Sequence, residues 1–296
     1  MKKLLFCLLC FCLMTFGSSA KIIEVAPAGA WGTMIIGGGS GGEAPAGGTD
    51  FTADANCQGA WFMNGAEGGD GSEAEADRSG ETENLTAGGG ATIVDSSDQP
   101  SGYTGRSRVF AAGDSEWLYH ADGGSTEING LGGTGTGDIT LAAWIKMSAD
   151  TALDQHVISK YLTTDSQRQY WLGIDDGEDL SITSTLSSDG TAQAVVLGVT
   201  DLDVAVWYHI ALVYNDTDMR IYINGVLDSN GANNPATYSA GIADKSSEFR
   251  IGARGNGDNF FSGNIDEVIV FNRALSAAEI LGLKTYGIDG SKGGND

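Results

Sequence analysis

Two adjacent carboxylates, Asp266 and Glu267, lie inside the apolar stretch GNIDEVIVF near the carboxyl end of the chain. Such a pair could catalyse glycosidic hydrolysis, hold a metal ion, or discourage pairing at a sheet edge. A retaining glycosidase needs two carboxyl groups on one face, about 5–5.5 Å apart. Because successive side chains of a regular strand point to opposite faces, this spacing predicts that Asp266 and Glu267 do not act as a pair.

The segments that would position these side chains are short and rich in β-forming residues. From about Phe51, runs of β-branched and aromatic residues alternate with Gly/Asp/Asn/Ser clusters, a pattern typical of an all-β sandwich or barrel. HVISKYL is predicted to pair with QYWLGI, and DLSITSTL with AQAVVLGV. Residues 206–228 predict two consecutive hairpins. The second turns at Asn224 and Gly225, a dipeptide that tolerates the two positive φ angles of a two-residue turn.

A short helix is predicted to begin at Ser276, just after the strand that carries the carboxylates. Ser276 and Glu279 have the spacing of a capping box, in which each side chain bonds to the backbone amide of the other residue. Leu275 and Ile280 flank the start as a hydrophobic staple. The carboxyl end therefore predicts a closing strand followed by a helix that packs on the sandwich.

The first 20 residues predict a secretory signal peptide. Lys2 and Lys3 precede an apolar run, and small residues up to Ala20 provide a cleavage site. No later segment approaches the ~20 apolar residues that a membrane helix needs. We therefore expect a protein without a membrane span that is secreted, or held in the periplasm or at the cell surface. We assign residues 21–50 to a Gly-rich arm, 51–288 to one domain and 289–296 to a disordered tail.

The mature chain is strongly acidic and has one cysteine. Removing Lys2 and Lys3 leaves 14 basic and 39 acidic side chains, a net charge of −25. Because this charge repels phosphate backbones, we expect no nucleic-acid partner. Cys57 is the one cysteine beyond the signal peptide. It is expected either to be buried as a small apolar side chain or to link two molecules.

Four motifs in one order resemble the laminin-G-like, concanavalin A-like jelly-roll domains of the lectin/glucanase superfamily. The motifs are DITLAAWIKM, VWYHIALVYNDTDMRIYINGVLD, FRIGARG and FFSGNIDEVIVFNRALSAAEI, spanning residues 137–285, with a weaker similarity upstream. The resemblance implies a concanavalin A-like antiparallel β-sandwich with a short C-terminal helix. The end of the chain is also similar to pentraxins.

Some proteins with this fold are glycoside hydrolases that use an E-x-D-x-x-E strand motif. The nearest approach here is Glu75, Asp77 and Glu81, in which the last acid is one residue too far along a Gly-rich segment. Three histidines are scattered without the i+2 or i+4 spacing of a zinc site: His120, His156 and His209. The sequence therefore predicts a protein that is not an enzyme.

The resemblance implies carbohydrate or protein ligands, often with a structural calcium ion, which is bound by hard oxygen ligands. Asp266 is the strongest candidate ligand, because a carboxylate on the same face as Val268 needs compensation if it is buried. Asp114, from the upstream strand region, is the predicted partner. The alternatives are exposure of Asp266 or a salt bridge to Arg250 or Arg254.

Sugar sites combine aromatic faces with amide and carboxylate groups. Two predicted loops, residues 169–179 and 253–263, carry such side chains. The candidate glycan contacts are Trp171, Asp175, Asn256, Asp258, Asn259 and Phe260. Trp171 and Phe260 could equally belong to the core.

The sequence leaves two classes of function open. In the first, the domain is a lectin-like or adhesion module whose partner is a glycan. In the second, it is a structural surface protein that uses the sandwich as a protein-interaction unit, with the Gly-rich arm as a tether and Cys57 as a cross-link.

Overall fold

A computed structural model describes residues 48–65, 74–81, 83–89, 94–122, 137–151, 153–177, 180–229 and 233–292. All described residues belong to one compact unit, Ala44–Asp296. The predicted signal peptide and most of the predicted arm lie outside the described residues.

The described residues form two antiparallel sheets and one α-helix. In chain order the strands are β1 (Cys57–Trp61), β2 (Ala74–Glu75), β3 (Leu85–Gly88), β4 (Val94–Ser96), β5 (Ser107–Phe110), β6 (Trp117–His120), β7 (Ile139–Met147), β8 (Gln155–Leu162), β9 (Gln167–Ile174), β10 (Ile182–Leu186), β11 (Ala194–Leu197), β12 (Trp207–Tyr214), β13 (Asp218–Ile223), β14 (Val226–Leu227), β15 (Ala236–Thr237), β16 (Phe249–Ile251) and β17 (Gly263–Phe271). The α-helix, α1, spans Ala277–Tyr286, and a 3-10 turn spans Ala112–Asp114.

The two sheets order their strands far out of sequence. The first sheet runs β14-β13-β12-β7-β17-β5-β4, with β1 paired to β17 and β15 paired to β13. The second sheet runs β11-β10-β9-β8-β16-β6-β3-β2. All of the pairings are antiparallel, and the predicted β8–β9 and β10–β11 pairs are confirmed. The predicted antiparallel β-sandwich with a short C-terminal helix is therefore confirmed.

The main core lies between the sheets and follows the period of two. In β7, Leu141, Ala143 and Ile145 point inward and are fully buried, as are Ile210 and Leu212 of β12. Burial of alternate apolar side chains on two facing sheets supplies the main stabilisation of such a sandwich. The outward residues of the same strands build a second, smaller apolar layer.

The second layer is covered by α1. Ala142, Ala211 and Ile269 on the outer face of the first sheet pack with Ile280 and Leu283 of the helix. The helix begins as predicted. The Ser276 hydroxyl accepts from the Glu279 amide at 3.3 Å, and the Glu279 carboxylate accepts from the Ser276 amide at 2.7 Å. The capping box is confirmed, and it places the helix where its apolar residues meet the sheet.

The predicted meander is also confirmed. β12 pairs with β13, and β13 pairs with β14 through the turn at Asn224 and Gly225, whose φ angles are 52° and 82°. The Asn224 side chain accepts from the backbone amide of His209 at 3.0 Å. This side chain therefore ties the second turn back to β12.

Backbone hydrogen bonds involve described residues on both sides of the domain boundaries expected from the sequence. Gly48, assigned to the arm, donates its amide to the carbonyl of Gly290 at 2.9 Å. Lys292, assigned to the tail, accepts from the amide of Thr104 at 2.8 Å. Backbone hydrogen bonds therefore join both ends of the domain and include residues 289–292 in it.

Cys57 lies in the layer beneath α1. Its side chain is 2% exposed, and burial raises the pKa of its thiol to about 12. A thiol this deep and this weakly acidic behaves as an apolar side chain, which agrees with the first of the two expectations.

Candidate functional site

The outer face of the second sheet is partly covered by the chain between β16 and β17. Gly252 donates to the carbonyl of Val157 at 2.9 Å, the Ser159 hydroxyl donates to the carbonyl of Ala253 at 2.7 Å, and Gly255 donates to the carbonyl of Tyr161 at 2.9 Å. These bonds lead the chain back along β8. We call residues 252–262 the clasp loop.

Asn256 and Asp258 stabilise the clasp loop. The Asn256 side chain accepts from the Thr163 amide at 3.1 Å and donates to the Thr163 hydroxyl at 3.0 Å. Asp258 binds Arg254 in two parallel contacts, Nε to Oδ1 at 2.7 Å and Nη2 to Oδ2 at 2.6 Å. Paired charges of this geometry hold a loop in one conformation. The structure therefore gives both of these predicted glycan contacts a role in holding the loop.

Asn259 and Phe260 join the clasp loop to the sheet on either side. The carbonyl of Asn259, a residue at φ 50°, accepts from the His156 amide at 3.0 Å. The half-buried Phe260 ring stacks on Trp117 of β6, with centroids 6.1 Å apart and 27° between planes. The Arg250 guanidinium lies 4.6 Å from the centre of the Trp117 ring. An aromatic pair beside a cation therefore lies next to the loop.

Trp117 is an aromatic residue next to the clasp loop that is not among the six predicted glycan contacts. It is half-buried, and it contacts both Phe260 and Arg250. Its own motif, EWLYH, gives one usable signal: in a strand, Trp117 and Tyr119 share a face, whereas Leu118 turns to the core. The alternation could have identified an outward aromatic residue, but not its contact with a loop more than 100 residues away.

Trp171 is in the outer layer of the second sheet, but its side chain is 6% exposed. The His156 imidazole covers one face of the indole, with ring centroids 4.1 Å apart and planes at 11°. Burial, and then the positive charge of Arg254, hold the pKa of His156 well below its usual value. Neutral His156 and Trp171 form a packed layer next to the clasp loop, and the indole is not an open stacking surface.

Asp175 belongs to an acidic group at the end of the β8–β9 pair. Carboxylate oxygens of Asp154, Asp175 and Asp176 lie within 4.8 Å of one another. Burial, followed by repulsion from Asp176 and Asp175, raises the pKa of Asp154. Among the described residues this is the one group of three whose spacing would let them share a metal ion. Three carboxylates offer the hard oxygens that calcium prefers.

Asp114 and Asp266 are not brought together. Asp114 is exposed in the 3-10 turn that follows β5, beyond the Phe110–Gly263 pair that ends the β5–β17 ladder. Asp266 lies three residues into β17 in the other direction, and its side chain is 3% exposed. A β-strand rises about 3.4 Å per residue. These two carboxylates are therefore too far apart to share one coordination sphere.

The faces of Asp266 and Glu267 differ from the prediction because β17 contains a β-bulge. Asp266 pairs with Trp144 and Ile269 with Ala142, so two residues of β17 oppose one residue of β7, and Glu267 has φ 50°. Asp266 therefore shares the outer face with Trp144. The expectations that the two carboxylates point to opposite faces, and that Asp266 shares the Val268 face, are both wrong.

Glu267 points to the same outer side. Its Oε2 atom accepts from the backbone amide of Ile288 at 2.6 Å, next to the end of α1. Val268 turns inward to the main core. The alternative of a salt bridge from Asp266 to Arg250 or Arg254 does not hold either, because these arginines pair with Glu248 and Asp258 respectively.

Both carboxylates are buried acids. Burial and then the neighbouring Glu267 raise the pKa of Asp266 well above its usual value. Burial raises the pKa of Glu267 to about 8; the Ile288 amide opposes this shift and Asp289 adds to it. The pair lies on the outer face of the first sheet, beside the helix, whereas the clasp loop lies on the second sheet.

The described residues form an antiparallel β-sandwich whose second sheet carries the clasp loop and two half-buried aromatic side chains, Trp117 and Phe260. The family model of the concanavalin A-like lectin/glucanases superfamily matches residues 120–281, so the chain belongs to this superfamily. The sequence matched no curated protein.

Solved structures share the fold at low identity. Domain 4 of AbnA, an extracellular GH43 arabinanase from Geobacillus stearothermophilus in complex with arabinotriose, is 17% identical with a TM-score of 0.54, covering 78% of this chain and 98% of that domain. The binding domain of Paraclostridial Mosquitocidal Protein 1 is 16% identical with a TM-score of 0.55, covering 77% of this chain and 52% of the other.

A third similar structure is the binding domain of botulinum neurotoxin serotype G, at 14% identity and a TM-score of 0.53, covering 77% of this chain and 50% of that domain. This chain thus spans about half the length of the two toxin domains. At these identities the similarity shows the fold alone. No helix in the described part of the chain is long and apolar enough to cross a bilayer.

Proposed function

We propose that this protein is a secreted, non-catalytic carbohydrate-binding module whose glycan site is the clasp loop and the adjoining outer face of the second sheet. One observation carries the proposal: two segments expected separately to supply sugar contacts are neighbours. The Asn259 carbonyl meets the His156 amide of β8 at 3.0 Å, and His156 stacks on Trp171 of β9.

The chemistry of this surface suits a sugar. Phe260 and Trp117 offer half-buried aromatic rings, and sugar rings pack their C–H faces on such surfaces. Asn256 is exposed and carries both an amide donor and an acceptor, while Asp258 is half-buried at the loop tip. A few polar groups around an aromatic surface are the usual composition of a ligand site. Trp171 packs against His156 beneath this surface.

The absence of catalysis is part of the proposal. Hydrolysis needs two accessible carboxyl groups that flank the scissile bond. Asp266 and Glu267 are each 3% exposed, so a polysaccharide does not reach them without unfolding this part of the domain. Asp258, the one acidic residue of the clasp loop, binds Arg254 at 2.6 Å. We therefore expect no release of reducing sugar from any polysaccharide that binds.

The similar structures suggest which ligands to test first. The Geobacillus domain was solved with arabinotriose, and another similar structure, at 12% identity and a TM-score of 0.53, concerns botulinum neurotoxin type C and two ganglioside molecules. Arabino-oligosaccharides and ganglioside glycans are therefore the first probes for this chain.

The test is binding of the mature protein to arabinotriose, arabinan and a ganglioside glycan by calorimetry and pull-down. We expect Phe260→Ala and Trp117→Ala to weaken binding at least about tenfold, the loss expected when a stacked ring worth about 1.5 kcal/mol is removed. Tyr286→Ala is the matched control, because this aromatic residue is 45% exposed on α1, on the other sheet. Equal binding by Phe260→Ala and the wild type would remove the clasp loop from the site.

The alternative class, a structural surface protein, is distinguished by the same experiment. It predicts that no glycan binds and that an extracellular protein does. Cross-linking through Cys57 is not supported, because the thiol is 2% exposed and its pKa is raised to about 12 by burial.

A structural calcium ion is a second element of the proposal. The group of Asp154, Asp175 and Asp176 fits calcium better than Asp114 and Asp266 do, because its oxygens lie within 4.8 Å of one another. A divalent cation would relieve the repulsion that raises the pKa of Asp154. Bound there, it would join the start of β8 to the end of β9, close to His156 and the clasp loop.

A further inference from the structure

Two arginines lie beside the aromatic pair of the proposed glycan site, and each is bound by a carboxylate. Arg250 of β16 directs its Nε and Nη2 atoms to Glu248 Oε2 at 3.0 and 2.8 Å. Arg254 of the clasp loop binds the Asp258 carboxylate at 2.7 and 2.6 Å. Ion pairs of this kind combine opposite charge with hydrogen bonding in a fixed geometry. The positive charge of both guanidinium groups is therefore balanced before a ligand arrives.

The two arginines are also held by backbone contacts of the clasp loop. Arg250 donates Nη1 to the carbonyl of Arg254 at 3.0 Å, and its guanidinium lies 4.6 Å from the centre of the Trp117 ring. Within the loop, Arg254 donates its amide to the carbonyl of Asp258 at 3.0 Å, and Gly257 donates to the carbonyl of Arg254 at 2.9 Å. The protein's own hydrogen bonds thus hold both arginines next to the ring on which a sugar would pack.

The basic side chains of β8 and β9 have partners elsewhere. Lys160 is fully buried, and its Nζ atom donates to the carbonyl of Lys245 at 2.6 Å. Arg168 donates Nη1 to the carbonyl of Thr191, in the connection between β10 and β11. Because β9 lies three strands from β6 in the second sheet, Arg168 is about 14 Å or more from Trp117.

Negative charge predominates around the proposed site. Asp154, Asp175 and Asp176 group their carboxylates where β8 begins and β9 ends, close to the bond between His156 and the clasp loop. The whole chain has a net charge of −23. A carboxylate accepts hydrogen bonds but donates none, whereas a sugar hydroxyl can do both. A neutral sugar can therefore donate to these groups, but an anionic sugar is repelled by them.

We propose that this site binds neutral glycans and discriminates against anionic ones, which carry carboxylate or sulfate groups. The inference rests on the proposed function, because it specifies the ligand of the same surface. Recognition of such anions ordinarily uses the N–H fork of an arginine, and Glu248 and Asp258 occupy the forks of the two arginines at this site. Arabinan, which is neutral, should therefore bind more tightly than a ganglioside glycan, which carries sialic acid.

The test compares matched neutral and anionic glycans on the mature protein by calorimetry. The pairs are a ganglioside oligosaccharide without and with its sialic acid, and arabinan before and after light carboxymethylation. EDTA is present so that no divalent cation bridges an acidic ligand to the protein. We expect the neutral member of each bound pair to bind about two- to fivefold more tightly at low salt. The difference should shrink in about 1 M salt, where charges are screened.

Glu248→Gln gives a sharper measurement of the same effect. It leaves Arg250 without a counter-charge, and the fold should tolerate it because the Glu248 side chain is 39% exposed. We expect this variant to bind the anionic glycan about two- to fivefold more tightly than the wild type does, with neutral-glycan binding changed by less than about twofold. Asp218→Asn is the matched control, because it removes the carboxylate that binds Arg220 at 2.7 Å on the first sheet. This control should discriminate as the wild type does.

Three results would overturn the preference for neutral glycans while leaving the glycan site in place. They are an anionic glycan bound as tightly as its neutral counterpart, a difference that is unchanged in about 1 M salt, and the same discrimination in Glu248→Gln as in the wild type. Failure of every glycan to bind, in EDTA and in calcium, would instead overturn the proposed function.

Discussion

The imidazole of His156 lies flat on the indole of Trp171, with ring centroids 4.1 Å apart and 11° between the ring planes. His156 also donates its backbone amide to the clasp loop through Asn259. Stacking and hydrogen bonding at one residue therefore connect the loop to β9. The candidate glycan surface rests on a packed aromatic layer, and its shape depends on that layer.

Trp171 should contribute to stability in proportion to its burial. Since it is 6% exposed, we expect Trp171→Ala to lower the free energy of unfolding by about 3–5 kcal/mol, the usual cost of deleting a buried aromatic side chain. Urea denaturation measures this change. Tyr286→Ala, at a residue 45% exposed, should change it by about 0.5 kcal/mol or less. A stable Trp171→Ala protein that has lost glycan binding would make the indole a direct ligand contact instead.

Acid should destabilise the domain through its buried histidines. Burial, with a smaller effect of Lys284, lowers the pKa of His209 from its ordinary 6.5 to about 3. The unfolded chain therefore binds a proton at His209 that the folded chain does not bind. As a result, the free energy of unfolding decreases as the pH falls from 6.5 toward 3.

A pH series of urea denaturation tests this effect of His209. The stability of the wild type relative to His209→Gln should fall by up to about 1.4 kcal/mol per pH unit below pH 6.5. His120→Gln is the control, because the His120 side chain is 23% exposed and pairs with Glu83. Parallel curves for wild type and His209→Gln would show that His209 takes up its proton in the folded state.

Local chemistry explains what could be predicted from the sequence. The turn at Asn224–Gly225 needs two positive φ angles, and the capping box needs Ser276 and Glu279, so residue type alone locates both. The alternation along β7 identifies its inward face for the same reason. The six candidate glycan contacts lie in β9, directly after it, or in the clasp loop that bonds to β8.

The β-bulge and the clasp loop could not be predicted in this way. Glu267 adopts a positive φ, a conformation that is usually found at glycine or asparagine. Its residue type therefore does not indicate the β-bulge, which interrupts the strand alternation. The contact between Phe260 and Trp117 depends on the register of β16 between β6 and β8. Pairing between segments far apart in sequence is set by the whole fold, and no local pattern records it.

The capping box at the start of α1 should contribute measurably to the free energy of unfolding. Ser276→Ala removes the hydroxyl that accepts from the Glu279 amide, and we expect a loss of about 1 kcal/mol. Denaturant unfolding measures this loss, with Thr164→Ala at an exposed turn position as the control. Because Glu279 also binds Arg273 at 2.8 Å, Glu279→Ala should cost more than Ser276→Ala. A larger loss for Ser276→Ala than for Glu279→Ala would show that the cap contributes more to stability than the ion pair does.

Calcium should stabilise the wild type through the acidic group that lies where β8 begins and β9 ends. At about 100 times its dissociation constant a single bound ion adds about 2.7 kcal/mol, which thermal melting with added calcium or EDTA would detect. Asp175→Asn removes one of the three grouped carboxylates and should abolish most of this response. Asp203→Asn, at an exposed acid outside that group, should respond as the wild type does. A melting temperature unchanged by calcium and EDTA in the wild type would show that the repulsion raising the pKa of Asp154 is tolerated without a cation.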